Sequence, residues 1–481
     1  MYEIPKAVNK ALMLLKKVKH ESYIVGGCVR DLVIGREPKD WDITTLAKPD
    51  QILALFESAG RKAFYENDFG TVTVIIDELP IEITPFRKEG KYSDKRRPDE
   101  ITWANTLEED LARRDFTINA MALSSGNSAV IDIFGGKDDL KKKIVRAVGV
   151  ANERFNEDAL RLLRACRIAI ELGFTIEENT RNAIILNAHH IQAIASERIR
   201  DEFSRIILAQ NPEQGILLLK DVGVLNYMLP ELLEGEGVTQ RGPHRFDIFR
   251  HNLFSLKWAA KESDSLVVRL SALFHDIGKV KTRQVSQDGK ITFYDHPKAG
   301  AQIAHAILTR LHFPHKVIQD VAHLVYHHMF YYDVGKVTPS GVRRLLLRVG
   351  GKEVFDNLLI VRRADRRATP VPKTHPYRLR HLEYMVEKVA TDPLSRFQLV
   401  INGEDIKNEA NVSEGPRVGL LINALLAEVL IDPKKNTREQ LLSRVKELTL
   451  QKDEELKEKA HIIFERTQER DQLLKSRHYV K

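Results

Sequence analysis

The hydrophobic repeat changes once along the chain, near residue 150, and that change restricts the fold more than any other feature. Before it, short segments of period two alternate with segments of period 3.6. Residues 12–19 and 52–59 read as helices. Tyr23-Ile24-Val25, residues 71–77, 81–86 and 130–134 read as strands, the middle pair joined by a Pro-containing turn. From about residue 150 onward, apolar residues recur at three- and four-residue spacings. The expected fold class is α+β: a small mixed α/β head followed by mostly α-helical domains. Length alone suggests about three domains. A Gly-rich polar break at 234–243 and a Pro-rich break at 369–376 divide the chain further. The expected segments are 1–145, 146–235, 240–370 and 375–481, the last ending in a highly charged helix with an exposed tail.

No run of about 18 apolar residues occurs, so no membrane span is expected. The first twenty residues form an amphipathic pattern without the apolar run or cleavage site of a signal peptide. Cys28 and Cys166 lie far apart with no metal-type spacing, which reads as two reduced thiols in a cytoplasmic protein. The net charge of +8 suits a polyanionic partner. Lys141-Lys142-Lys143, Arg362-Arg363, Arg366-Arg367, and Arg378 with Arg380 are candidate phosphate contacts; solvated helix faces are the alternative.

Chemistry begins at Y-I-V-G-G-C-V-R-D, residues 23–31. A strand runs through Gly26 and Gly27 into a helix start, where backbone N–H groups can approach phosphate oxygens. K-D-W-D follows, with Asp40 and Asp42 two residues apart. On a strand they share a face. Two carboxylates so placed are costly unless they hold a divalent cation, and Mg²⁺ in nucleotidyl transfer is the matching chemistry. Glu82, in P-I-E-I-T-P-F-R, is a candidate third acid if its strand lies beside theirs; otherwise it is an outward-facing edge residue.

Together with A-R-R-D-F-T-I-N-A-M-A (residues 112–122), these segments resemble the class II tRNA nucleotidyltransferase and bacterial poly(A) polymerase superfamily. The resemblance runs from about residue 20 to at least 210. It implies that Asp40 and Asp42 bind the catalytic Mg²⁺. It also implies that Gly26, Gly27, Arg30, Arg113, Arg114, Asp115 and Asn119 contact the incoming nucleotide. Guanidinium forks suit phosphates, and Asp and Asn suit ribose hydroxyls.

In N-E-D-A-L-R-L-L-R-A-C-R, residues 156–167, Asp158 and Arg161 are i and i+3 on an expected helix. Glu157 and Arg161, at i and i+4, would otherwise make an ordinary surface ion pair. The resemblance favours a base-reading role. Cytosine and adenine each present an amino donor beside a ring-nitrogen acceptor. A carboxylate and a guanidinium pair with that edge, whereas uracil and guanine would leave both groups unpaired. Arg164 is expected to support this geometry or the phosphates. The long charged loop at 88–103, with Asp94, Arg96 and Arg97, resembles the family segment that helps switch from C to A addition. S-E-R-I-R-D-E-F, residues 196–203, also matches a family motif, and its expected role is structural.

His251, H-D-I-G-K (residues 275–279), His296, His327-His328 and Asp365 fall on successive expected helices. Imidazoles with carboxylates suit Mn²⁺, Ni²⁺, Fe²⁺ or Mg²⁺ better than structural zinc. His251, His275, Asp276 and Asp365 resemble the metal set of the HD phosphohydrolase superfamily, with Lys279, His296 and His328 as secondary candidates. That likeness implies hydrolysis of phosphate esters by metal-activated water. Residues 399–406 and 413–419 resemble the C-terminal tail of bacterial enzymes in the family, expected to hold tRNA.

The reading is addition of C, C and A to the 3′ end of tRNA from CTP and ATP, with no obligate protein partner implied. Close alternatives are an A-adding or CC-adding enzyme or a poly(A) polymerase. A further one is a phosphohydrolase with an inactive, RNA-binding head. Another keeps the head active and makes the HD region a catalytically dead scaffold.

Overall fold

The computed structural model describes residues 2–66, 70–89, 101–124, 129–240, 246–330, 332–369, 376–391 and 399–480. Asp94, Arg96 and Arg97 lie outside them. Residues 1–328 with 360–370 form one compact unit, and residues 329–359 with 371–481 form a second.

The head is a seven-stranded mixed sheet. Its strands are β1 (Ser22–Val25), β2 (Asp42–Thr45), β3 (Lys62–Tyr65), β4 (Val72–Ile76), β5 (Leu79–Pro85), β8 (Met121–Ser124) and β9 (Val130–Asp132), in the order β3-β4-β5-β2-β1-β8-β9. A separate pair, β6 (Arg87–Glu89) with β7 (Ile101–Trp103), flanks it. Helices α1 (Lys6–Lys17), α2 (Gly27–Val33) and α3 (Pro49–Ser58) precede α4 (Leu107–Ala112) and α5 (Gly136–Lys142). Helix α1 buries Ala7, Val8, Ala11, Leu12 and Leu15, the stripe of a 3.6-residue repeat. The expected Pro-containing turn before residue 81 is not the turn that forms. Asp77 and Glu78, both at positive φ (50° and 66°), make the bend, and Pro80 sits inside β5 opposite Ile75. Positive φ at two central residues gives the hairpin twist that adjoining strands need.

Beyond the head the first unit is almost wholly helical, apart from two short strand pairs, β10 (Ile144–Val145) with β11 (Thr175–Ile176) and β12 (Gln284–Val285) with β13 (Ile291–Thr292). Helices α6 (Ala151–Glu157), α7 (Leu160–Leu172), α8 (Glu178–Asn187), α9 (Ser196–Leu208), α10 (Pro212–Asp221), α11 (Leu225–Met228) and α12 (Pro230–Leu233) follow the head. Then come α13 (Ile248–Ala260), α14 (Leu266–Phe274), α15 (Lys279–Thr282), α16 (His296–Arg310) and α17 (His315–His327). One continuous apolar core, from Val8 through Phe155 and Phe203 to Val325, runs through this unit. Arg269 on α14 is buried and donates to Ile207 O and Ala209 O at 3.0 and 2.9 Å, so α14 satisfies carbonyls at the C-terminal end of α9.

The second unit contains α18 (Pro339–Val349), the first half of α19 (Lys352–Ala368), and α20 (Tyr377–Thr391) to α24 (Asp453–Arg477). Between the last two lie α21 (Gly403–Ala410), α22 (Pro416–Ile431) and α23 (Arg438–Thr449). The second half of α19 belongs to the first unit. Leu399, Ile406, Leu425, Leu441 and Leu456 lie in the core of the second unit. The expected exposed tail is short: Tyr479 is exposed, but Val480 is buried. Among the described residues, no helix is long and apolar enough to cross a membrane.

Candidate functional site

Strands β2 and β5 run parallel with Asp42 directly opposite Glu82. Asp42 opens β2, but Asp40 lies in the bend before it. The two acids therefore do not share one strand face as expected; a turn, not the strand alternation, brings Asp40 near. Burial raises the pKa of Asp42. Arg114 opposes that rise and Asp40 adds to it. Glu82 is raised as well, by burial and by Asp42, Glu66 and Asp40. Three acids thus repel one another where β2 and β5, two interior strands, run side by side. Their oxygens do not converge within 4.8 Å; among the described residues, the sets of three or more ligand groups that do converge lie elsewhere.

Gly26 has φ 84°, and a Cβ there would lie 3.1 Å from both Asp42 Oδ2 and Arg114 Nη1. A side chain would press on both charged ends, and the positive φ favours glycine. Cys28 is held inert: burial and the charge of Asp42 push its thiol up to about 12. Gly26, Gly27, Arg30, Asp40, Asp42, Arg114, Asp115, Asn119 and Arg164 all line one cavity of about 750 Å³.

The arginines of R-R-D are anchored by a residue that sequence reasoning missed. Asp110 is fully buried, and binds Arg113 Nη2 at 2.7 Å, Arg114 Nη2 at 3.3 Å and Thr44 Oγ1 at 3.2 Å. Burial opposes its ionisation, yet Arg113 and Arg114 hold its carboxyl below the usual range. The spacing from 110 to 113 and 114 is i, i+3 and i+4, the one signal that could have found it. Asp115 accepts from Arg164 Nη2 at 2.6 Å and from Asn119 Nδ2 at 3.0 Å; Asn119 in turn accepts from Arg30 Nη1 at 3.0 Å. Arg30, Asn119, Asp115 and Arg164 thus form one chain of charge-assisted bonds across the cavity.

Asp158 and Arg161 are not on one helix. Asp158 is an extended residue between α6 and α7, with φ −137° and ψ 104°. Its carboxylate accepts from Arg198 Nη2 at 2.7 Å, Arg198 Nη1 at 3.3 Å and Leu160 N at 3.0 Å. Arg161 binds Glu157 at 2.6 Å, the pairing that spacing alone favoured, and donates to Arg113 O at 3.1 Å. Even so, Asp158, Arg161 and Arg198 line one small cavity of about 240 Å³, which shares Arg114, Asp115 and Arg164 with the larger one. Arg198 comes from the 196–203 segment expected to be structural. Its neighbour Glu202 fits that expectation better, bonding Arg167 at 2.5 Å in the packing of α9 against α7.

A second constellation sits among α13, α14, α16, α17 and α19. His251, His275, Asp276 and Asp365 place ligand atoms within 4.8 Å of one another, and Asp276, His296 and His328 form a second such group. His251 Nε2 lies 3.2 Å from His275 Nε2, and His296 Nε2 lies 3.3 Å from His328 Nε2. Asp276 divides its oxygens. Oδ2 is 3.3 Å from His251 and His275, while Oδ1 is 3.4 Å from His296 and 3.6 Å from His328. Nδ1 of His275, His296 and His328 each meets a carbonyl three residues back, at 2.9, 2.8 and 2.7 Å. A carbonyl only accepts, so Nδ1 carries a proton and Nε2 is the nitrogen that faces the cluster and can offer a lone pair to a metal. Buried lone pairs and carboxylates facing one another are a donor set that fits divalent cations. Burial lowers the pKa of His275, but Asp276 and Asp365 outweigh it and push the imidazole up to about 10. Lys279 bonds Asp276 Oδ2 at 2.5 Å and Gln240 at 2.8 Å. A Cβ on Gly278 would stand 2.2 Å from His296 O, so the glycine of H-D-I-G-K lets α16 approach.

Family models match three stretches: a poly A polymerase head domain at residues 22–146, a "Probable RNA and SrmB- binding site of polymerase A" at 173–235, and an HD domain at 249–369. The chain is 34% identical over 435 residues to the CC-adding tRNA nucleotidyltransferase of Thermus thermophilus, covering 88% of this chain and 93% of that protein. It is 31% identical over 452 residues to the CCA-adding enzyme of Ligilactobacillus salivarius, covering 93% and 98%. The crystal structure of the Bacillus stearothermophilus CCA-adding enzyme in complex with CTP superposes with a TM-score of 0.60 at 26% identity, over 92% of this chain and 96% of that one. The acid-bearing sheet, the guanidinium chain beside it and these full-length likenesses agree, and the chain belongs to the tRNA nucleotidyltransferase and poly(A) polymerase family.

Proposed function

We propose that this chain extends the 3′ end of tRNA with C, C and A, taking CTP and ATP without a nucleic-acid template. The observation that carries the reading is the meeting of two cavities at Arg114, Asp115 and Arg164, one lined by Asp40 and Asp42, the other by Asp158 and Arg161. Asp40 and Asp42, with Glu82 beside them, would hold Mg²⁺, which supplies activation of the attacking hydroxyl and neutralisation of the leaving pyrophosphate. Arg30 and the backbone at Gly26 and Gly27 receive phosphates. Asp115 and Asn119, each already oriented by a guanidinium, receive the ribose hydroxyls. Asp158 accepts from the amino group of cytosine or adenine, and Arg161 donates to the neighbouring ring nitrogen. Arg198, donating to both oxygens of Asp158, aims that carboxylate.

The HD constellation is proposed as a second catalytic centre, hydrolysing phosphate esters. His251, His275, Asp276 and Asp365, with His296 and His328 through the second oxygen of Asp276, would hold one or two divalent ions (Mn²⁺, Ni²⁺, Fe²⁺ or Mg²⁺), which supply a water activated near neutral pH. We assign residues 1–145 to catalysis, 146–235 to base and RNA binding, 240–370 to the HD centre and 375–481 to tRNA holding, in the cytoplasm.

A second reading, addition of CC only, is favoured by the 34% likeness to a CC-adding enzyme across 88% of the chain. One experiment separates the readings: labelled CTP and ATP, alone and together, offered to tRNA lacking CCA, to tRNA ending in CC, and to an unrelated RNA. CC from CTP alone and A only on the CC-ended tRNA supports the proposal. CC without A makes the chain a CC-adding enzyme, A without C an A-adding enzyme, and long A tracts on any RNA a poly(A) polymerase. Phosphate release that survives Asp40→Ala with Asp42→Ala, with no addition by the parent protein, leaves the head as a binding module.

A further inference from the structure

Lys279 opens α15 three residues after Asp276, and that short spacing brings its ammonium onto the HD centre. Its backbone N–H donates to Asp276 O at 3.0 Å, closing a tight turn through Gly278. Its Nζ meets Asp276 Oδ2 at 2.5 Å. That oxygen is the one facing His251 and His275, each at 3.3 Å, while Oδ1 faces His296 and His328. A divalent ion held by His251, His275 and Asp365 would draw on the same Oδ2. Ammonium and metal ion are both cations, so each weakens the hold of the other on one carboxylate oxygen. The ammonium has a second partner that no local rule supplies. Gln240, 39 positions earlier, accepts from Nζ at 2.8 Å, and both residues are buried. The amide is oriented from its far side, where Nε2 donates to Phe246 O at 3.3 Å, so Oε1 is left for the ammonium. The segment carrying Gln240 is pinned to the start of α13, through Gly237 N to Asp247 Oδ2 at 3.0 Å and Ile248 N to Val238 O at 3.3 Å. The ring of Phe293, its centroid 5.5 Å from Nζ, adds a cation–π contact.

We propose that Gln240 is a positioning residue of the HD centre: it retains the Lys279 ammonium when Asp276 Oδ2 passes to a divalent ion, and so eases loading of His251, His275, Asp276 and Asp365. The inference rests on those four residues holding such an ion, and goes beyond that reading by making loading an exchange of partners at Lys279. Gln240 and Phe293 are neutral, so they can keep a cation that a carboxylate releases without themselves competing for the metal. A buried ammonium left with neither would be costly, and would stay on Asp276. A Lys279 that merely steadied Asp276 from behind would act in the opposite sense, because such support strengthens a metal site.

The test is Mn²⁺ binding by calorimetry at one pH and one salt concentration. The protein is full-length and carries Asp40→Ala with Asp42→Ala, so that those head acids do not contribute. In that protein Gln240→Met, which nearly keeps the volume, should weaken the tightest Mn²⁺ site about tenfold. Gln240→Glu keeps an acceptor toward the ammonium and should bind Mn²⁺ at least as tightly as the parent. Lys279→Met removes the competing cation and should tighten the site about tenfold. With Lys279 already replaced, Gln240→Met should change the affinity less than about twofold, since the two residues act as one pair. Thermal unfolding in chelator checks that each variant folds. Unchanged affinity in Gln240→Met, weaker binding in Gln240→Glu, or equal losses from Gln240→Met in both backgrounds would overturn the proposal. So would weaker binding in Lys279→Met, which would make Lys279 a fixed support of Asp276. A tight site that survives His275→Ala would remove the metal reading itself, and the inference with it. Because binding needs no turnover, the full coupling in a protein that hydrolyses no phosphate ester would refute the phosphohydrolase reading and leave the exchange standing.

Discussion

Replacing Asp158 with asparagine changes almost no volume and inverts one side of the proposed base-reading pair. Both oxygens of Asp158 already face donors, Oδ2 toward Arg198 Nη2 at 2.7 Å and Oδ1 toward Leu160 N at 3.0 Å. An amide must turn its NH₂ toward one of them. That loses a hydrogen bond to a charged group, about 1.5–3 kcal/mol, and sets donor against donor. If the NH₂ instead turns to the base, it meets the amino group of cytosine or adenine, and a bond of about the same worth is lost there. Either placement loses one such bond, about 1.5–3 kcal/mol, or about 10–10² in kcat/KM for CTP and ATP at 1.4 kcal/mol per factor of ten. UTP presents a carbonyl oxygen where cytosine has its amino group, so it should lose little or gain. The assay is kcat/KM for all four nucleoside triphosphates on a tRNA lacking CCA, with thermal unfolding as a check that the half-buried site stays folded. The ratio of CTP to UTP should fall at least about tenfold. Equal losses for all four nucleotides would show that Asp158 supports the fold without reading the base, and the argument would fail.

Other outcomes follow from the same geometry. Asp42→Ala should lower nucleotide addition more than about a thousandfold while leaving the thermal midpoint near that of the parent, as read by gel extension and calorimetry. Since burial raises the pKa of Asp42 and Glu82, protons compete for their carboxylates at higher pH than for ordinary acids. Addition should decline on acidification from neutrality, and excess Mg²⁺ should move the acid limb of the pH profile downward. Asp110→Ala strands two guanidinium groups beside a buried position and should cost about 3–5 kcal/mol in denaturant unfolding. The Asp110 pKa is lowered on folding. Its stabilisation is therefore present above the unfolded value, about 3.9, and is lost as pH falls through the lower folded value. At the HD centre His275, at about 10, is protonated near neutral pH before metal enters. Mn²⁺ or Ni²⁺ binding should release about one proton, seen by calorimetry in buffers of different ionisation enthalpy, and weaken about tenfold per pH unit lowered.

The head was legible because its signals are local. The strand into Gly26 and the acids at 40 and 42 follow within twenty residues, and the helical repeat after 150 is regular. Spacing failed where the backbone leaves its regular path. Asp158 looked like the i−3 neighbour of Arg161, but the chain extends at that residue, and extended backbone points its carboxylate at α9. No pattern near residue 158 announces Arg198, forty positions away. Asp110 was hidden for a different reason. A buried acid on a short helix carries no mark of burial until the sheet that covers it is known. His296 and His328 were visible as histidines, yet only the fold shows that the second oxygen of Asp276 faces them both.

The placement of groups along α7 explains how a protein surface could stand in for a template strand. A template fixes a nucleotide by its edge and its backbone at once. Here one rigid helix offers both. Its start holds Arg161 beside Asp158, its middle holds Arg164 on Asp115, and its last turns, with Ile168 and Leu172, line the larger cavity. Each successive contact is about one helical turn, roughly 5 Å, further on. The first two are locked by ion pairs to other elements, Glu157 with Arg161 and Asp115 with Arg164, and Glu202 of α9 clamps Arg167 near the third. On the proposed function, such a ruler would read only the edge presented at its first mark. Selection of C or A, and rejection of U and G, would then depend on the Asp158–Arg198 pair staying in register with Arg161. Arg198 is carried by α9, whose C-terminal carbonyls are bound by Arg269 of α14, the helix that ends just before His275.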